Sequence, residues 1–458
     1  MTNHHTAKLA PSHASSTSRS PESSATAVPS RRAFLQSGSV GIAATALMSG
    51  VHVSAAESKV SGSPSNTVRL AVIGAGGRGK GAVIDSLTIN PNAKLVAIAD
   101  INQETPGKVR AAMAKRFGDR IDVKDDAMYS GLDAYRRVLD RDDVDVVLFA
   151  TPPGFRPQYV MEAVQAGKHV FAEKPTCVDP AGYHTCLKAD ELANRNGTSI
   201  VTGTQYRRQT SFIEVIDRIH SGAIGEIISA TTRYCSQGIW FKNRPEGMSD
   251  TEYQIFNWMH FIWLSGDQIV EQAVHNIDAV NWLMGGPPET AYGSGGRFTR
   301  PEGSEMWDNM AIDYTYPGNK VVSFMCRQIP GSTSANHTFV YGTKGIARVG
   351  SYSTGASLMT PDGEETWSIK GSISDAYKQE HKDLVDSVVQ GKPIVEFKQT
   401  AESSLTAVMG RLAAYTGKLV DWDFVSQKST LDLFPETIDF NGARPESKYA
   451  IPGREKLV

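Results

Sequence analysis

The stretch Val68-Arg-Leu-Ala-Val-Ile-Gly-Ala-Gly-Gly-Arg-Gly79 decides the fold of this chain of 458 residues. An apolar, β-branched run ends in the pattern G-x-G-x-x-G, and helix-compatible sequence follows, which is the context of a dinucleotide-binding turn. Gly74 permits the tight turn, Gly76 lets the backbone approach a pyrophosphate, and Gly79 lets the next helix pack against the strand. Free N–H groups and the helix dipole favour that anion. The predicted cofactor-binding residues of the turn are Gly74, Gly76, Gly77, Arg78 and Gly79.

An acidic residue follows at the spacing that such a site requires. The second apolar run, Lys94–Asp100, ends in a carboxylate roughly 20 residues after the last glycine, where an acid binds the 2′-hydroxyl of a ribose. Asp100 therefore favours NAD, with NADP left possible as the cofactor. The alternatives are a glycine-rich turn without a ligand and an aspartate that merely ends a strand. The order and the spacing together favour the cofactor site.

Apolar runs alternate with amphipathic stretches between residues 67 and 203. Near-continuous apolar strands separated by helices predict a parallel sheet buried on both faces. The fold class is therefore α/β, with an N-terminal doubly wound Rossmann domain over 67–203. Ligands of such sheets bind beyond the carboxyl ends of the strands, here after Ala150 and Ala172. The residues predicted to line the cofactor crevice at these ends are Thr151, Pro152, Glu173 and Lys174.

The pattern changes after Gly203. Residues 204–440 combine helical patterns with short strand runs that flank turns such as Pro317-Gly-Asn319. These features predict an α+β domain with a largely antiparallel open sheet, which serves substrate binding and oligomerisation. One helix is predicted from Asp267 to about Met284. An irregular C-terminal tail, residues 441–458, closes the chain.

The N-terminus has the composition of an export signal. Residues 1–29 are rich in Ser, Ala, Thr and Pro, and the pair Arg31-Arg32 precedes a weakly apolar run and the small residues Ala55 and Ala56. This order predicts a twin-arginine signal peptide with a disordered N-terminus over 1–56, a linker over 57–66, and a periplasmic or otherwise exported protein. A membrane anchor is the alternative, but the apolar run is shorter than the roughly 20 residues that span a bilayer.

Composition excludes several classes of partner. The formal net charge is −2, with 40% hydrophobic and 21% charged residues, so nucleic acid is not an expected partner and a small molecule is. No membrane span is expected in the mature protein. Cysteine spacing suggests neither a zinc site nor a disulfide framework, and buried free thiols are predicted for Cys177, Cys186, Cys235 and Cys326.

Glu173-Lys174-Pro175 follows directly on the run His169–Ala172, at the end of the sheet where a nicotinamide lies. A lysine at this place can give or take a proton from a hydroxyl as hydride moves. The proline holds the direction in which the chain leaves, and a cis bond is one way to do so. A lysine before a proline is usually a surface turn, but the position at the strand end favours a catalytic role.

With these motifs in place, the chain resembles the Gfo/Idh/MocA family of NAD(P)-dependent oxidoreductases, and in particular its exported twin-arginine branch. The resemblance covers 67–440. It is carried by the glycine turn, Asp100 and the segments Ala150–Pro153, Ala166–Val170, Glu173–Pro175, Gly203–Arg208, His275–Asp278, Tyr341–Gly345 and Glu402–Gly410. It implies that Lys174 is the catalytic lysine, that Glu173 lies by the nicotinamide ribose, and that His275 is the second polar catalytic residue. The family commonly has Asp where this chain has Glu271.

The predicted helix after Asp267 places four residues on one face by its periodicity, namely Glu271, His275, Asp278 and Trp282. A carboxylate and a histidine four residues apart can touch, so Glu271 is predicted to orient His275 for proton transfer or for a sugar hydroxyl. Asp278 is a predicted substrate-binding residue. A solvated polar stripe is the alternative, and Trp282 weakens it. No third ligand stands at a telling spacing, so no metal is predicted.

Aromatic residues are dense between Trp240 and Trp263. Such a stretch is more often core or a subunit interface, but aromatic faces also suit the apolar side of a pyranose. On the second interpretation Trp240 and Arg207 are predicted to bind substrate.

Three functions remain open at this stage. The first is an oxidoreductase that transfers hydride between bound NAD(P) and a hydroxyl of a sugar, inositol or sugar derivative. The second is an NAD-dependent glycosidase or lyase that uses transient oxidation and elimination, and the third is a non-catalytic binding protein on the same scaffold. The glycine turn with Lys174 and His275 argues against the third.

The chain is also expected to form a homodimer or homotetramer, as the resemblance implies. One face of the second domain's sheet needs cover from its own helices. The other face is predicted to carry Tyr314, Tyr316 and Phe324 and to be covered by a partner subunit. A monomer whose terminal helices and tail wrap that face is the alternative.

Overall fold

The first sheet is built from short apolar runs whose side chains are buried on both faces, as in Leu70, Val147 and Phe171. In the computed structural model, which describes residues 66–350, 354–445 and 448–458, six parallel strands lie in the order β3-β2-β1-β4-β5-β6. The strands are β1 Val68–Ile73, β2 Ala93–Asp100, β3 Met128–Ser130, β4 Val146–Phe149, β5 His169–Ala172 and β6 Ile200–Thr202. This order confirms the predicted doubly wound sheet.

Helices cover both faces of this sheet. They are α1 Gly77–Ile89, α2 Thr105–Phe117, α3 Ala134–Leu139, α4 Arg156–Gln165 and α5 Pro180–Asn196. The edge strand β3 was not predicted, because its three half-buried residues make no apolar run. The predicted export signal and all but Asn66 of the predicted linker lie outside the described residues, so the localisation stays a prediction.

The second sheet contains nine strands within the described residues, in the order β14-β13-β12-β11-β7-β10-β9-β8-β15. Its neighbours pair antiparallel except β7 and β10, which run parallel, so the sheet is mixed but largely antiparallel as predicted. The strands are β7 Ile227–Ser236, β8 Thr290–Gly296, β9 Asn309–Tyr316, β10 Lys320–Gln328, β11 Ala335–Gly342, β12 Ile346–Gly350, β13 Ala356–Met359, β14 Glu365–Ile369 and β15 Val420–Asp421.

The helices of this part pack on one face of the second sheet and against the first. They are α6 Thr210–His220, α7 Asp250–Phe256, α8 Ile262–Ser265, α9 Gln268–Glu271, α10 Val274–Met284, α11 Ile373–Gln390 and α12 Phe397–Thr416. Among the described residues, no helix has the length and hydrophobicity that crossing a bilayer requires. All four cysteines are buried free thiols, as predicted.

The predicted position of three aromatic residues is wrong. Tyr314, Tyr316 and Phe324 lie on the face that the chain's own helices cover, where each is 1% exposed. The Tyr314 hydroxyl donates to the carbonyl of Thr406 on α12, and the Tyr316 hydroxyl donates to Asn281 on α10. Strand alternation allows these residues only one face, and the hydroxyls find partners on the helix side. The oligomer stays a prediction, without support from these residues.

The prediction of a single helix from Asp267 to Met284 is also wrong, because the helix is interrupted between α9 and α10. Ala273 has φ −81° and ψ −5°, and its N–H donates to the carbonyl of Gln268 five residues back, instead of four as in a regular α-helix. Asp267 starts α9 with φ 77° and caps it by accepting from the N–H of Gln268 at 2.5 Å. The other oxygen of Asp267 accepts from the N–H of Trp307 and from the hydroxyl of Tyr415.

We predict that Asp267→Asn lowers the free energy of unfolding by about 2–3 kcal/mol, measured by urea unfolding. Asparagine tolerates positive φ, so the change isolates the hydrogen bonds: in either amide orientation the new NH₂ group faces a buried donor. Asn319→Asp in the exposed hairpin turn, where φ is 57°, is the matched control and should be neutral. Equal stability of the two variants would contradict the role of Asp267.

Candidate active site

The glycine turn between β1 and α1 has the shape that a pyrophosphate requires. Gly74 has φ 81°, and a Cβ there would lie 2.8 Å from the backbone of Ala150 and Thr151. A Cβ on Gly79 would lie 2.0 Å from the carbonyl oxygen of Gly74, so this glycine permits the close contact of α1 with the turn. At Gly76 and Gly77 no described atom lies within 4 Å of an added Cβ. That side of the turn, at the N-terminus of α1, is open to a ligand and fits the predicted NAD.

Asp100 ends β2 beside this turn. One carboxylate oxygen accepts from the N–H of Ala75 at 2.8 Å and the other accepts from the N–H of Asn102 at 3.0 Å. Burial raises the pKa of Asp100, and these backbone donors act in the opposite direction. The carboxylate is thereby fixed at the place where the ribose of a dinucleotide lies in this fold.

A polar cavity of about 300 Å³ opens beyond the carboxyl ends of β4 and β5. It brings together Thr151, Glu173, Lys174, Glu271, His275 and Arg78, six of the residues that sequence reasoning selected. It is also lined by residues that were not predicted as site residues, namely Pro153, Arg156, Gln205, Tyr206, Tyr234, Trp258, Gln272 and Tyr377, together with Ala150. Both parts of the chain therefore contribute to one site.

Lys174 pairs with Glu271 across this cavity. The Nζ–Oε1 distance is 3.0 Å, and the two side chains are 11% and 8% exposed. Lys174 Nζ also donates to the backbone carbonyl of Glu271. The Lys174–Pro175 peptide bond is cis. The prediction that Glu271 orients His275 within one helix is wrong, because the break before α10 separates them and the carboxylate bonds the lysine instead.

His275 lines the same cavity from the first turn of α10, with its ring 5.5 Å from that of Tyr206. Burial lowers the pKa of His275 well below its ordinary value, and the positive charges of Lys174 and Arg78 lower it further. The imidazole is therefore neutral at pH 7, with one nitrogen as a donor and the other as an acceptor. Such a ring can hydrogen-bond a substrate hydroxyl in either sense.

Glu173 is fixed by Arg78 rather than by the lysine next to it. Arg78 Nε donates to the carboxylate of Glu173, and the guanidinium lies 4.7 Å from the ring centre of Tyr377 on α11. Burial alone would raise the pKa of Glu173, but Arg78 and then Lys174 and Arg156 lower it below its ordinary value. The carboxylate is therefore ionised beside the predicted nicotinamide position.

Arg156 fixes the loops that carry the site. It is 2% exposed and donates to the carbonyls of Pro175 and Thr151, which follow β5 and β4. Burial lowers the pKa of Arg156 to about 10. The sequence gives no signal for this residue except its place at the start of a predicted helix.

Four predicted residues lie elsewhere. Arg207 forms a bidentate ion pair with Asp278 at 2.9 Å and stacks on Trp282 at a separate cavity, so neither residue lines the site. Trp240 is 39% exposed and packs edge-on against Trp258, which does line the site. Pro152 precedes the lining residue Pro153 without lining the cavity itself.

The missed residues differ in how much signal they carried. Gln205 and Tyr206 belong to the segment Gly203–Arg208, which sequence reasoning selected as a whole. Tyr377 lies on α11, some 200 residues after the strands that it meets, and nothing local marks it. Among the described residues, no three His, Cys, Asp or Glu side chains form a group that could hold a metal ion.

The fold and the glycine turn together define a Rossmann domain of the NAD-binding type. The model of an oxidoreductase family with an NAD-binding Rossmann fold matches residues 68–203, and that of a GFO/IDH/MocA C-terminal domain matches residues 212–348. The chain belongs to the Gfo/Idh/MocA family. Its predicted twin-arginine branch stays a prediction.

The chain is also similar to individual proteins. Glycosyl hydrolase family 109 protein 2 of Shewanella sp. (strain ANA-3) is 31% identical over 222 residues, 46% of this chain and 47% of that protein. Inositol 2-dehydrogenase of Rubrobacter xylanophilus is 25% identical over 286 residues, 62% and 72% of the two chains. The chain thus spans about half the length of the first of these relatives. The WlbA dehydrogenase of Bordetella pertussis shares the fold, with a TM-score of 0.59, 20% identity and coverage of 78% and 98%.

We predict that Gly76→Ala weakens NAD binding about tenfold or more without changing stability, because the added methyl group enters only the open side of the turn. Gly79→Ala should lower both affinity and the unfolding midpoint, since its Cβ meets the Gly74 carbonyl. Gly107→Ala in α2, where a Cβ also meets no described atom, is the control. Titration calorimetry measures the affinity for NAD, and thermal unfolding measures stability. An affinity for NAD in Gly76→Ala equal to that of the wild type would contradict the pyrophosphate site.

We predict that Asp100→Ser shifts the ratio of the dissociation constants of NAD and NADP about tenfold or more toward NADP. The change removes the negative charge that accepts from a ribose hydroxyl and repels a 2′-phosphate. Asp126→Ser, on the surface of the same domain, should leave the ratio unchanged. An unchanged ratio in Asp100→Ser would show that this carboxylate does not meet the ribose.

Proposed function

We propose that the protein is an NAD-dependent oxidoreductase that acts on a hydroxyl of a sugar, an inositol or a sugar derivative. The observation that carries this proposal is the pairing of Lys174 with Glu271 beside the neutral His275, in a polar cavity at the carboxyl ends of β4 and β5. The names of relatives such as inositol 2-dehydrogenase support the substrate class.

The roles follow from the donors and acceptors. Bound NAD supplies the hydride acceptor. Lys174, in its neutral form, accepts the hydroxyl proton as the carbinol carbon loses hydride, and its ammonium form returns the proton in the reverse direction. His275 holds the same hydroxyl or a neighbouring one, and Glu271 holds the lysine in place rather than the histidine. The ionised Glu173 favours positive charge on the nicotinamide side.

A second candidate is a redox-neutral glycosidase or lyase. The observation that favours it is the 31% identity to a protein named as a family 109 glycosyl hydrolase. Oxidation next to the target carbon acidifies a C–H bond, and elimination expels the leaving group. In the glycosidase, water then adds to the resulting double bond, and the hydride is returned from the reduced cofactor to the carbonyl carbon. Lys174 and His275 serve this route as well, so the two functions differ in products rather than in residues.

Export by the twin-arginine route is part of the proposal, on the basis of Arg31-Arg32 and the small residues near Ala55. This route carries folded proteins, so NAD bound in the cytoplasm travels with the enzyme. We also propose a homodimer or homotetramer that pairs through the face of the second sheet opposite α12. Half-exposed residues such as Phe339 lie on that face.

We predict that Lys174→Ala lowers turnover by about 10²-fold or more while NAD content on purification is unchanged, because the lysine exchanges the proton and the glycine turn binds the cofactor. Lys115→Ala on the surface of α2 is the control and should retain full activity. Turnover is measured by mass spectrometry of products from polyol and glycoside panels. An unchanged rate in Lys174→Ala would remove the lysine from the mechanism.

The same panels separate the two candidates. Net reduction of stoichiometric NAD with a ketone product supports the dehydrogenase. Many turnovers without added NAD and without net reduction support the redox-neutral route.

A further inference from the structure

Two residues outside the predicted catalytic set lie in one hydrogen-bonded chain with Lys174. The Tyr234 hydroxyl donates to Gln272 Oε1 at 3.0 Å, Gln272 Nε2 donates to Glu271 Oε2 at 2.5 Å, and Lys174 Nζ donates to Glu271 Oε1 at 3.0 Å. All four side chains line the cavity. This series of hydrogen bonds starts at Tyr234 on β7, the central strand of the second sheet, and ends at Lys174 on the loop after β5 of the first sheet.

The chemistry of the groups fixes the direction of this chain. A carboxylate only accepts, so the amide of Gln272 must turn its NH₂ group toward Glu271. Its carbonyl oxygen must then face Tyr234, and the tyrosine hydroxyl must donate. Each member thus has one orientation, and the two carboxylate oxygens of Glu271 are assigned to different donors.

We infer that Gln272 and Tyr234 are positioning residues that hold the Glu271 carboxylate against Lys174 and so fix the place and the charge of the lysine ammonium. This inference rests on the proposed role of Lys174. Glu271 takes two of the three donors of Lys174 Nζ, through its carboxylate and its backbone carbonyl, and leaves one for a substrate hydroxyl. Without Gln272 the free oxygen of Glu271 loses its donor in a partly buried site, and the carboxylate can turn away from the lysine.

Other charged or titratable groups face the pair and remain unchanged in the test. They are Arg78 from α1, Arg156 from α4, Glu173 on the lysine's own loop and His275 from α10, with the hydroxyls of Tyr206 and Tyr377 on the cavity wall. A difference between variants at position 272 therefore reports the series of hydrogen bonds from Tyr234 to Lys174.

The test measures the ionisation of Lys174 directly and needs no substrate. The full chain is labelled with limiting acetic anhydride at a series of pH values, and the peptide that contains Lys174 is quantified by mass spectrometry. We expect the labelling midpoint of Gln272→Leu to fall by about 0.5 pH unit or more, because the carboxylate stabilises the ammonium less. Gln272→Glu should raise the midpoint, because it adds a negative charge, and Tyr234→Phe should move it as Gln272→Leu does, by less.

Tyr292→Phe on β8, whose ring is 60% exposed, is the control and should titrate as the wild type does. Equal midpoints in the wild type, Gln272→Leu and Gln272→Glu would overturn the inference. If Gln272→Leu unfolds, Tyr234→Phe carries the test, since it removes one hydroxyl only. The activity of Lys174→Ala tests the proposed function, whereas the labelling midpoint tests the positioning role of Gln272 and Tyr234. Failure of one can therefore be told apart from failure of the other.

A kinetic readout separates positioning from direct contact. With the substrate that the product panels identify, Gln272→Leu should lower kcat and leave KM nearly unchanged, because the residue acts through Glu271. A raised KM with unchanged kcat and an unchanged labelling midpoint would make Gln272 a substrate contact and refute the positioning role.

Discussion

The ion pair between Lys174 and Glu271 is the constraint on which the site depends, because it joins the loop after β5 to the break between α9 and α10. Burying two charges is unfavourable unless further hydrogen bonds satisfy them, and removing one partner of such a pair costs about 3–5 kcal/mol. The helix break supplies one of these bonds. In a continuous helix the carbonyl of Glu271 would accept from the N–H of residue 275, whereas here it accepts from Lys174 Nζ. The interruption between the two helices thus leaves the carbonyl of Glu271 free to accept a hydrogen bond from the lysine.

The charges around this pair alternate in sign. Arg78 meets Glu173, Glu173 is followed by Lys174, Lys174 meets Glu271, and Arg156 lies behind both carboxylates. Because Arg78, Lys174 and Arg156 surround Glu173, the pKa of this carboxyl stays below its ordinary value despite burial. His275 is the exception: it has cations as neighbours and no carboxylate partner, so its neutral form is favoured. The site therefore holds an ionised Glu173 and a neutral imidazole at the same pH.

Sequence reasoning found what local rules encode. The turn from Gly74 to Gly79 and the carboxylate at Asp100 follow from backbone geometry at fixed spacing, and Lys174 follows from the rule that strand ends carry ligands. It failed where distant segments decide the outcome. Periodicity made Glu271 and His275 neighbours on one helix, but α9 ends at Glu271, whose carbonyl accepts from the distant Lys174, and α10 begins only at Val274. Tyr377 was out of reach for the same reason, since only packing of α11 against α1 brings it to the site.

The two parts of the chain supply opposite walls of the cavity. The loops after β4 and β5 present Thr151 and Lys174. The opposite wall carries Tyr234 and Trp258. The neighbouring Asn257 holds that wall by two hydrogen bonds to the backbone of Lys242. Residues of the C-terminal segment then bind the same stretch from outside, as Phe440 does through Ser249. Hydrogen bonds therefore hold this wall from both sides, and moving it would break bonds that are partly buried.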